Sequence, residues 1–280
     1  VSRYGLIDYA SSLDKIGTMS QNPEDAFFLL DIIKGKDEKD PTTLDTKQEE
    51  SRSKLKIGVV KESLDVQPKI KDLLLKTLKD YKMISLPNIK KYALPAYYII
   101  AVSEASTNLA KLTGIRYGAT ENLQEDYNKF FTTVRSKYFE KESKRRIILG
   151  TFARMSGFRD AYYLKAMRTR TLIINEYQRA FKDVDIIVSP TTTRTDPSFE
   201  EIEKLTPLEH YKMDILTVGT NLAGLPHISI NIGSVNQLPI GMMATANHLN
   251  EEATVSGSGF PSGIANGEGG ISKPAAIDFK

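Results

Sequence analysis

The segment Val184-Asp185-Ile186-Ile187-Val188-Ser189-Pro190 restricts the fold more than any other. Its apolar residues are consecutive rather than alternating, which is the pattern of a strand buried on both faces, and Pro190 ends it. Leu55-Lys56-Ile57-Gly58-Val59-Val60 has the length and branching of another strand. A helix is predicted after it over Pro68 to Tyr81, with Ile70, Leu73, Leu74 and Leu78 on one face. Strand-like and helical segments alternate in this way along the chain, which places it in the α/β class.

The remaining punctuation fills in the order of elements. Asn22-Pro23-Glu24-Asp25 is a helix start, with a capping residue, a first-turn proline and two acids. The helix carries Phe27, Leu30 and Ile33 and closes at Gly35. Lys36 to Lys54 is polar and reads as a solvated loop, and Lys82 to Leu86 as a short strand. Helical patterns dominate from Pro95 to Phe181, with breaks at Gly114 and near Gly157. A helix over Pro207 to Asn221 and strands over Pro226 to Asn231 and Leu238 to Ala246 close the pattern. The body therefore runs from Val1 to Glu252, and Ala253 to Lys280, rich in Gly and Ser, is expected to be loop or disorder.

Composition excludes several function classes. With 40% hydrophobic and 26% charged residues, the 280-residue chain has an ordinary soluble balance, ample for a core. A net charge of +3 is too small to imply a dedicated nucleic-acid groove. The absence of cysteine rules out disulfides, thiolate zinc sites, iron-sulfur clusters and a cysteine nucleophile, and suits a reducing compartment such as the cytoplasm. His210, His227 and His248 are too scattered for a metal cage, and no apolar run is long enough for a membrane span. The start at Val1, with no leader pattern over Val1 to Leu6, gives the expectation of a truncated chain.

Three side chains stand out as candidates for chemistry. Asp214, three residues after Tyr211 and four before Val218, falls on the apolar stripe of the predicted Pro207–Asn221 helix. A carboxylate there is either paired within the structure or turned into a cleft, because leaving it unmatched costs several kcal/mol. Arg146 in Lys144-Arg145-Arg146-Ile147 is its natural partner, with Gly150 one turn ahead to keep space beside the guanidinium. The alternative is that these bases form a solvated face. Tyr97, in Leu94-Pro95-Ala96-Tyr97-Tyr98 at an expected helix start, is either a core edge or a ligand contact, and small residues from Ala101 to Ser106 follow it. Ser189-Pro190-Thr191-Thr192-Thr193, at a strand's C-terminal end, fits a ligand-facing loop or a plain turn. No phosphate-cradling glycine loop, metal spacing or Ser-His-Asp set is present.

Several segments together resemble the A subunits of tRNA-dependent glutamyl/aspartyl amidotransferases, within the amidase signature family. They are Val1-Ser2-Arg3-Tyr4-Gly5-Leu6-Ile7 with Ala10-Ser11-Ser12-Leu13-Asp14, and Leu94 to Tyr98 with Glu104-Ala105-Ser106. Gly114-Ile115-Arg116-Tyr117-Gly118, Lys144 to Phe152, Asp160-Ala161-Tyr162-Tyr163, and Asp214 to Thr217 through Asn221 to Pro226 complete the set. The resemblance covers about Val1 to Glu252 and implies a layered α/β/α domain with a mixed central sheet, incomplete at its N-terminus.

It also implies a glutaminase that hydrolyses glutamine and passes ammonia to a B subunit. That partner, using ATP and magnesium, transamidates mischarged Glu-tRNA(Gln) or Asp-tRNA(Asn), and a small C subunit completes the complex. No cofactor is expected on this chain. The family's catalytic Lys and two Ser lie upstream of the Val-Ser-Arg-Tyr-Gly segment, so no catalytic residue is expected here. The substrate-binding residues carried over are Tyr97, Arg146 for the glutamine α-carboxylate, and Asp214 for the α-ammonium. Gly269 to Ala276, with Ser272, is faintly similar to the family's nucleophile segment with the Ser and Ile exchanged. Two rival readings remain, a free-standing amidase and an inactive assembly domain.

Overall fold

The computed structural model describes residues 1–44, 55–122, 126–250, 252–255 and 275–279. They form two compact units. One comprises Val1–Gly5, Lys15–Leu94 and Arg170–Lys280, and the other Leu6–Asp14 and Pro95–Thr169. Seven strands occur in the first unit: β1 (Ile16–Ser20), β2 (Ile57–Val60), β3 (Lys82–Ile84), β4 (Ile186–Pro190), β5 (His227–Val235), β6 (Leu238–Ala246) and β7 (Ala275–Phe279). The helices along the chain are α1 (Pro23–Ile33), α2 (Pro68–Thr77), α3 (Pro87–Asn108), α4 (Tyr127–Tyr138), α5 (Lys141–Arg154) and α6 (Lys165–Ala180). Four short ones follow, α7 (Phe199–Glu203), α8 (Pro207–Lys212), α9 (Val218–Ala223) and α10 (Glu252–Val255). Among the described residues, no helix is long and apolar enough to cross a membrane.

The strands form one mixed sheet in the order β1-β7-β5-β6-β4-β2-β3. β4 is buried at all five positions, as its continuous apolar run requires. It pairs in parallel with β2 and antiparallel with β6. Its Ile186 and Val188 share a core with Leu30, Leu74, Ile228 and Met242. The predicted face of α2 is inward, since Ile70 and Leu74 are fully buried. Asn22 caps α1 as its sequence indicates, its side-chain oxygen accepting the Asp25 amide at 2.8 Å. β5 and β6 form a hairpin through Asn236 and Gln237, both at positive φ, the conformation of the tight turns that match strand twist.

Over its described part, 36–44, the Lys36 to Lys54 segment is the expected irregular and mostly exposed loop, anchored where Ser2 Oγ donates to Asp37 at 2.6 Å and the Arg3 amide to Asp40 at 2.7 Å, while residues 45–54 lie outside the described residues. Three other expectations are corrected. The long helix α3 starts at Pro87, so Pro95 is inside it and not at its beginning. The reason is a buried carboxylate: Glu176 accepts the amides of Asn88 and Ile89 at 3.3 and 3.0 Å and the Asn88 side chain at 3.1 Å, which satisfies first-turn donors that would otherwise be orphaned. The helix predicted over Pro207 to Asn221 is two short helices, α8 and α9, separated by turns at residues 213–217.

Within Ala253 to Lys280, expected to be loop, α10 takes the first residues and β7 lies between β1 and β5, antiparallel to both. Both neighbours present edges whose backbone groups need partners, and β7 supplies them. Residues 256–274, including Ser272 and most of the Gly269 to Ala276 segment, lie outside the described residues.

His227 at the start of β5 is buried, with Nδ1 3.2 Å from the Leu225 carbonyl. Burial, helped by the charge of Lys15 and opposed by the Leu225 carbonyl, pushes its imidazole down to about 3. Between the ordinary value near 6.5 and that lowered value, the unfolded chain binds a proton that the folded one refuses. Stability therefore falls as pH falls, by up to about 1.4 kcal/mol per pH unit. Urea midpoints measured from pH 6.5 to 4.5 are expected to decline less steeply for His227→Gln than for the unchanged protein.

Candidate functional site

In the second unit the site begins with a close helix contact. A Cβ added to Gly150 of α5 would lie 1.8 Å from the Val102 carbonyl oxygen and 2.9 Å from Ser106 Cβ, both on α3. Gly150 therefore serves the approach of two backbones and not, as expected, space beside the guanidinium. The small residues of α3 make the approach possible: Ala101, Ser103, Ala105 and Ser106 are all buried. Arg154 reinforces it, donating from Nε and Nη2 to Ser106 Oγ at 3.2 and 2.9 Å.

One turn before Gly150, Arg146 is half-buried. It donates from Nε to Glu142 Oε1 at 2.7 Å and from Nη1 to the Tyr9 hydroxyl at 2.8 Å, with its guanidinium carbon 5.5 Å from the Tyr9 ring centre. Arg145 grips the same Glu142 carboxylate through Nε and Nη2 at 2.8 and 2.7 Å, so this stretch is more than a solvated basic face. Burial works against the charge of Arg146, yet the Glu142 and Tyr9 bonds outweigh it and hold the guanidinium above its ordinary pKa. Glu142 shows the converse balance, burial raising it and the two arginines bringing it below the usual carboxylate value.

Tyr9 is the functional candidate that sequence reasoning missed. Its turn is closed by Asp14, whose carboxylate accepts the amides of Tyr9 and Ala10 at 2.8 and 3.0 Å. The turn is tied to α3, since Glu104 accepts the Ser12 amide at 2.8 Å and Asn108 Nδ2 donates to the Tyr9 carbonyl at 3.2 Å and to Ser11 Oγ at 2.9 Å. An acidic side chain four or five residues after the amides it receives was the available sequence sign. Tyr97, also on α3, is half-buried, with its ring edge-on to Tyr98 at 5.3 Å.

Asp214, in the first unit, departs from expectation. It is exposed and lies in the turns between α8 and α9, not on a buried helical stripe. Its carbonyl accepts the amides of Thr217 and Val218 at 3.0 and 3.1 Å, which turns the chain into α9. The next two residues, Ile215 and Leu216, line a cavity of about 100 Å³ with Val60, Ile89, Tyr177 and Met243. Ser189 and Thr193 also line it, so part of the Ser189 to Thr193 segment faces a cavity at the C-terminal end of β4. Thr191 instead turns to Ser229, with 2.7 Å between the hydroxyl oxygens.

Residues 1–255 match the family model described as Amidase, and the chain belongs to that family. It is 43% identical over 268 residues to the A subunit of the glutamyl-tRNA(Gln) amidotransferase of Halothermothrix orenii, covering 90% of this chain and 56% of that protein. The corresponding protein of Archaeoglobus fulgidus is 41% identical over 258 residues, with the same coverage. The crystal structure of the Thermotoga maritima counterpart superposes with a TM-score of 0.70 at 33% identity, covering 92% of this chain and 54% of that one. A bacterial aryl acylamidase of the amidase signature family, 18% identical with a TM-score of 0.59 over 84% of this chain and 50% of that one, shares the fold. The expected mixed α/β fold and the resemblance to the A subunits of amidotransferases are thus both borne out, and these relatives carry enzyme names. The chain spans a little over half the length of the curated relatives it matches.

Because Gly150 sits against α3 backbone, Gly150→Ala is expected to force the helices apart. The cost is about 1 to 3 kcal/mol, the usual penalty of overpacking. A drop in urea midpoint together with faster amide exchange at Val102 to Ser106 checks this, and an unchanged midpoint would contradict the close contact.

Proposed function

We propose that this chain supplies the glutamine-recognition groups of the A subunit of an amidotransferase. The observation that supports the reading best is Arg146: a half-buried guanidinium, fixed by a neutral hydroxyl and a shared carboxylate, in a chain similar to amidotransferase subunits over most of its length. Arg146 takes the α-carboxylate of glutamine, Asp214 its α-ammonium, and Tyr97 contributes a hydroxyl. The side-chain amide is attacked by the family's Ser-Ser-Lys group, which we assign to none of the residues here. The ammonia released serves a B subunit that, with ATP and magnesium, transamidates mischarged tRNA, and a C subunit completes the assembly. A free-standing amidase acting on neutral amides would bring no carboxylate for the donors that Arg146 has left beyond Glu142 and Tyr9.

In an enzyme completed with the family's upstream segment, Arg146→Ala and Asp214→Asn are each expected to lower kcat/KM for glutamine by roughly 30-fold to several thousand-fold. This range corresponds to about 2 to 5 kcal/mol for a charge-assisted bond lost, on the reading that bound glutamine and the upstream segment shield the half-buried Arg146 and the exposed Asp214 from water. Arg146→Lys recovers part of the loss, since an ammonium keeps the charge without the two-point geometry. Tyr97→Phe is milder. Thermal midpoints measured on the same preparations separate recognition from folding: an unchanged kcat/KM with a lowered midpoint would refute the recognition role. Turnover of simple amides as fast as glutamine would favour the amidase reading.

A further inference from the structure

A guanidinium receives a carboxylate in two-point fashion along either of two edges, its side (Nε with Nη2) or its end (Nη1 with Nη2). In this chain the Nε hydrogen of Arg146 is committed to Glu142 Oε1 at 2.7 Å, so the side edge is occupied. Nη1 gives one bond to the Tyr9 hydroxyl at 2.8 Å, and with two hydrogens on that nitrogen another remains. The bonds to Glu142 and Tyr9 leave Nη2 unused.

Charge points the same way. Arg146 has the Glu142 carboxylate only in part, since Arg145 grips the same group through two nitrogens. Tyr9 holds the guanidinium without neutralising any of it. The hydroxyl is not loose, because the Tyr9 main chain is bonded to both Asp14 and Asn108.

We propose that Tyr9 and Glu142 are positioning residues for Arg146, which together present its Nη1–Nη2 end to an incoming carboxylate. The proposal rests on the reading of Arg146 as the anchor for the glutamine α-carboxylate. Tyr9 and Glu142 do not touch the substrate. They set the rotation of the group that does, and remove the conformational freedom it would otherwise lose on binding.

The test compares two substrates in the completed enzyme: L-glutamine and its α-amide, which has no carboxylate. Tyr9→Phe keeps the ring and removes the acceptor, and is expected to raise KM for glutamine about fivefold to tenfold. Its kcat, its KM for the α-amide and its thermal midpoint stay nearly unchanged. Glu142→Ala is expected to act in the same selective way, whereas Glu142→Gln, which keeps an acceptor for Nε, recovers most of the glutamine KM. Equal effects of Tyr9→Phe on both substrates, or a lowered midpoint with KM for glutamine unchanged, would overturn the positioning role while leaving Arg146 as anchor. If Arg146→Ala itself leaves the glutamine KM unchanged, the underlying reading fails, whatever Tyr9 does.

Discussion

A strand buried along its whole length cannot send its backbone groups to water, so β4 needs a partner on each side. It finds β2 through Ile57–Val59 and β6 through Met242–Ala246, and this requirement arranges much of the first unit. The parallel half of the sheet follows on the β2 side, and the β5–β6 hairpin on the other. Because β2 and β4 run in the same direction, their C-terminal ends meet at one edge of the sheet. Val60 and Ser189, at those ends, line the same pocket as Ile215 and Leu216, which places the turn carrying Asp214 beside a cavity.

The second unit depends on a different constraint, the absence of a side chain at Gly150. Only a glycine lets α5 lie directly against the Val102 carbonyl, and Arg146 stands one turn back on the same helix. On α3, Glu104 and Asn108 meanwhile fasten the turn that carries Tyr9. A single helix therefore supplies both the surface on which α5 rests and the anchors of the acceptor for Arg146. The start of that helix is fixed by the buried Glu176 carboxylate, and Pro95 lies eight residues inside it.

How legible each feature was in the sequence follows from the range of the forces involved. β4, α1 and α2 are encoded locally, in a continuous apolar run, an Asn-Pro cap and an apolar stripe, and they form where those patterns lie. The start of α3 depends on Glu176, distant in sequence, and the one local sign of it was a proline at the first helical position, Pro87, a sign that Pro95 offered equally. The Pro207 to Asn221 pattern has helical spacing throughout, but helical spacing does not require one continuous helix, and Asp214 ends up exposed between two short ones. β7 is specified by the edges it fills more than by its own five residues. Arg146 was legible as a basic residue in a motif, whereas its partner Tyr9 lies 137 positions away.

The composition of the Arg146 cluster bears on how a guanidinium is oriented while part of its charge stays uncancelled. An exposed ion pair contributes only about 0 to 1 kcal/mol, since water and salt screen it. Glu142, with its side chain 48% exposed, belongs near that limit, so its hold on Arg146 orients the guanidinium more than it satisfies it. Had the only acceptor been a fully buried carboxylate, the pair would have been closed, and displacing it would have cost part of any affinity gained. Dividing the work between a shared, partly exposed carboxylate and a neutral tyrosine hydroxyl avoids this. The guanidinium is fixed at two nitrogens, its charge is only partly cancelled, and the desolvation already accepted in half-burying it raises the gain from any carboxylate that arrives.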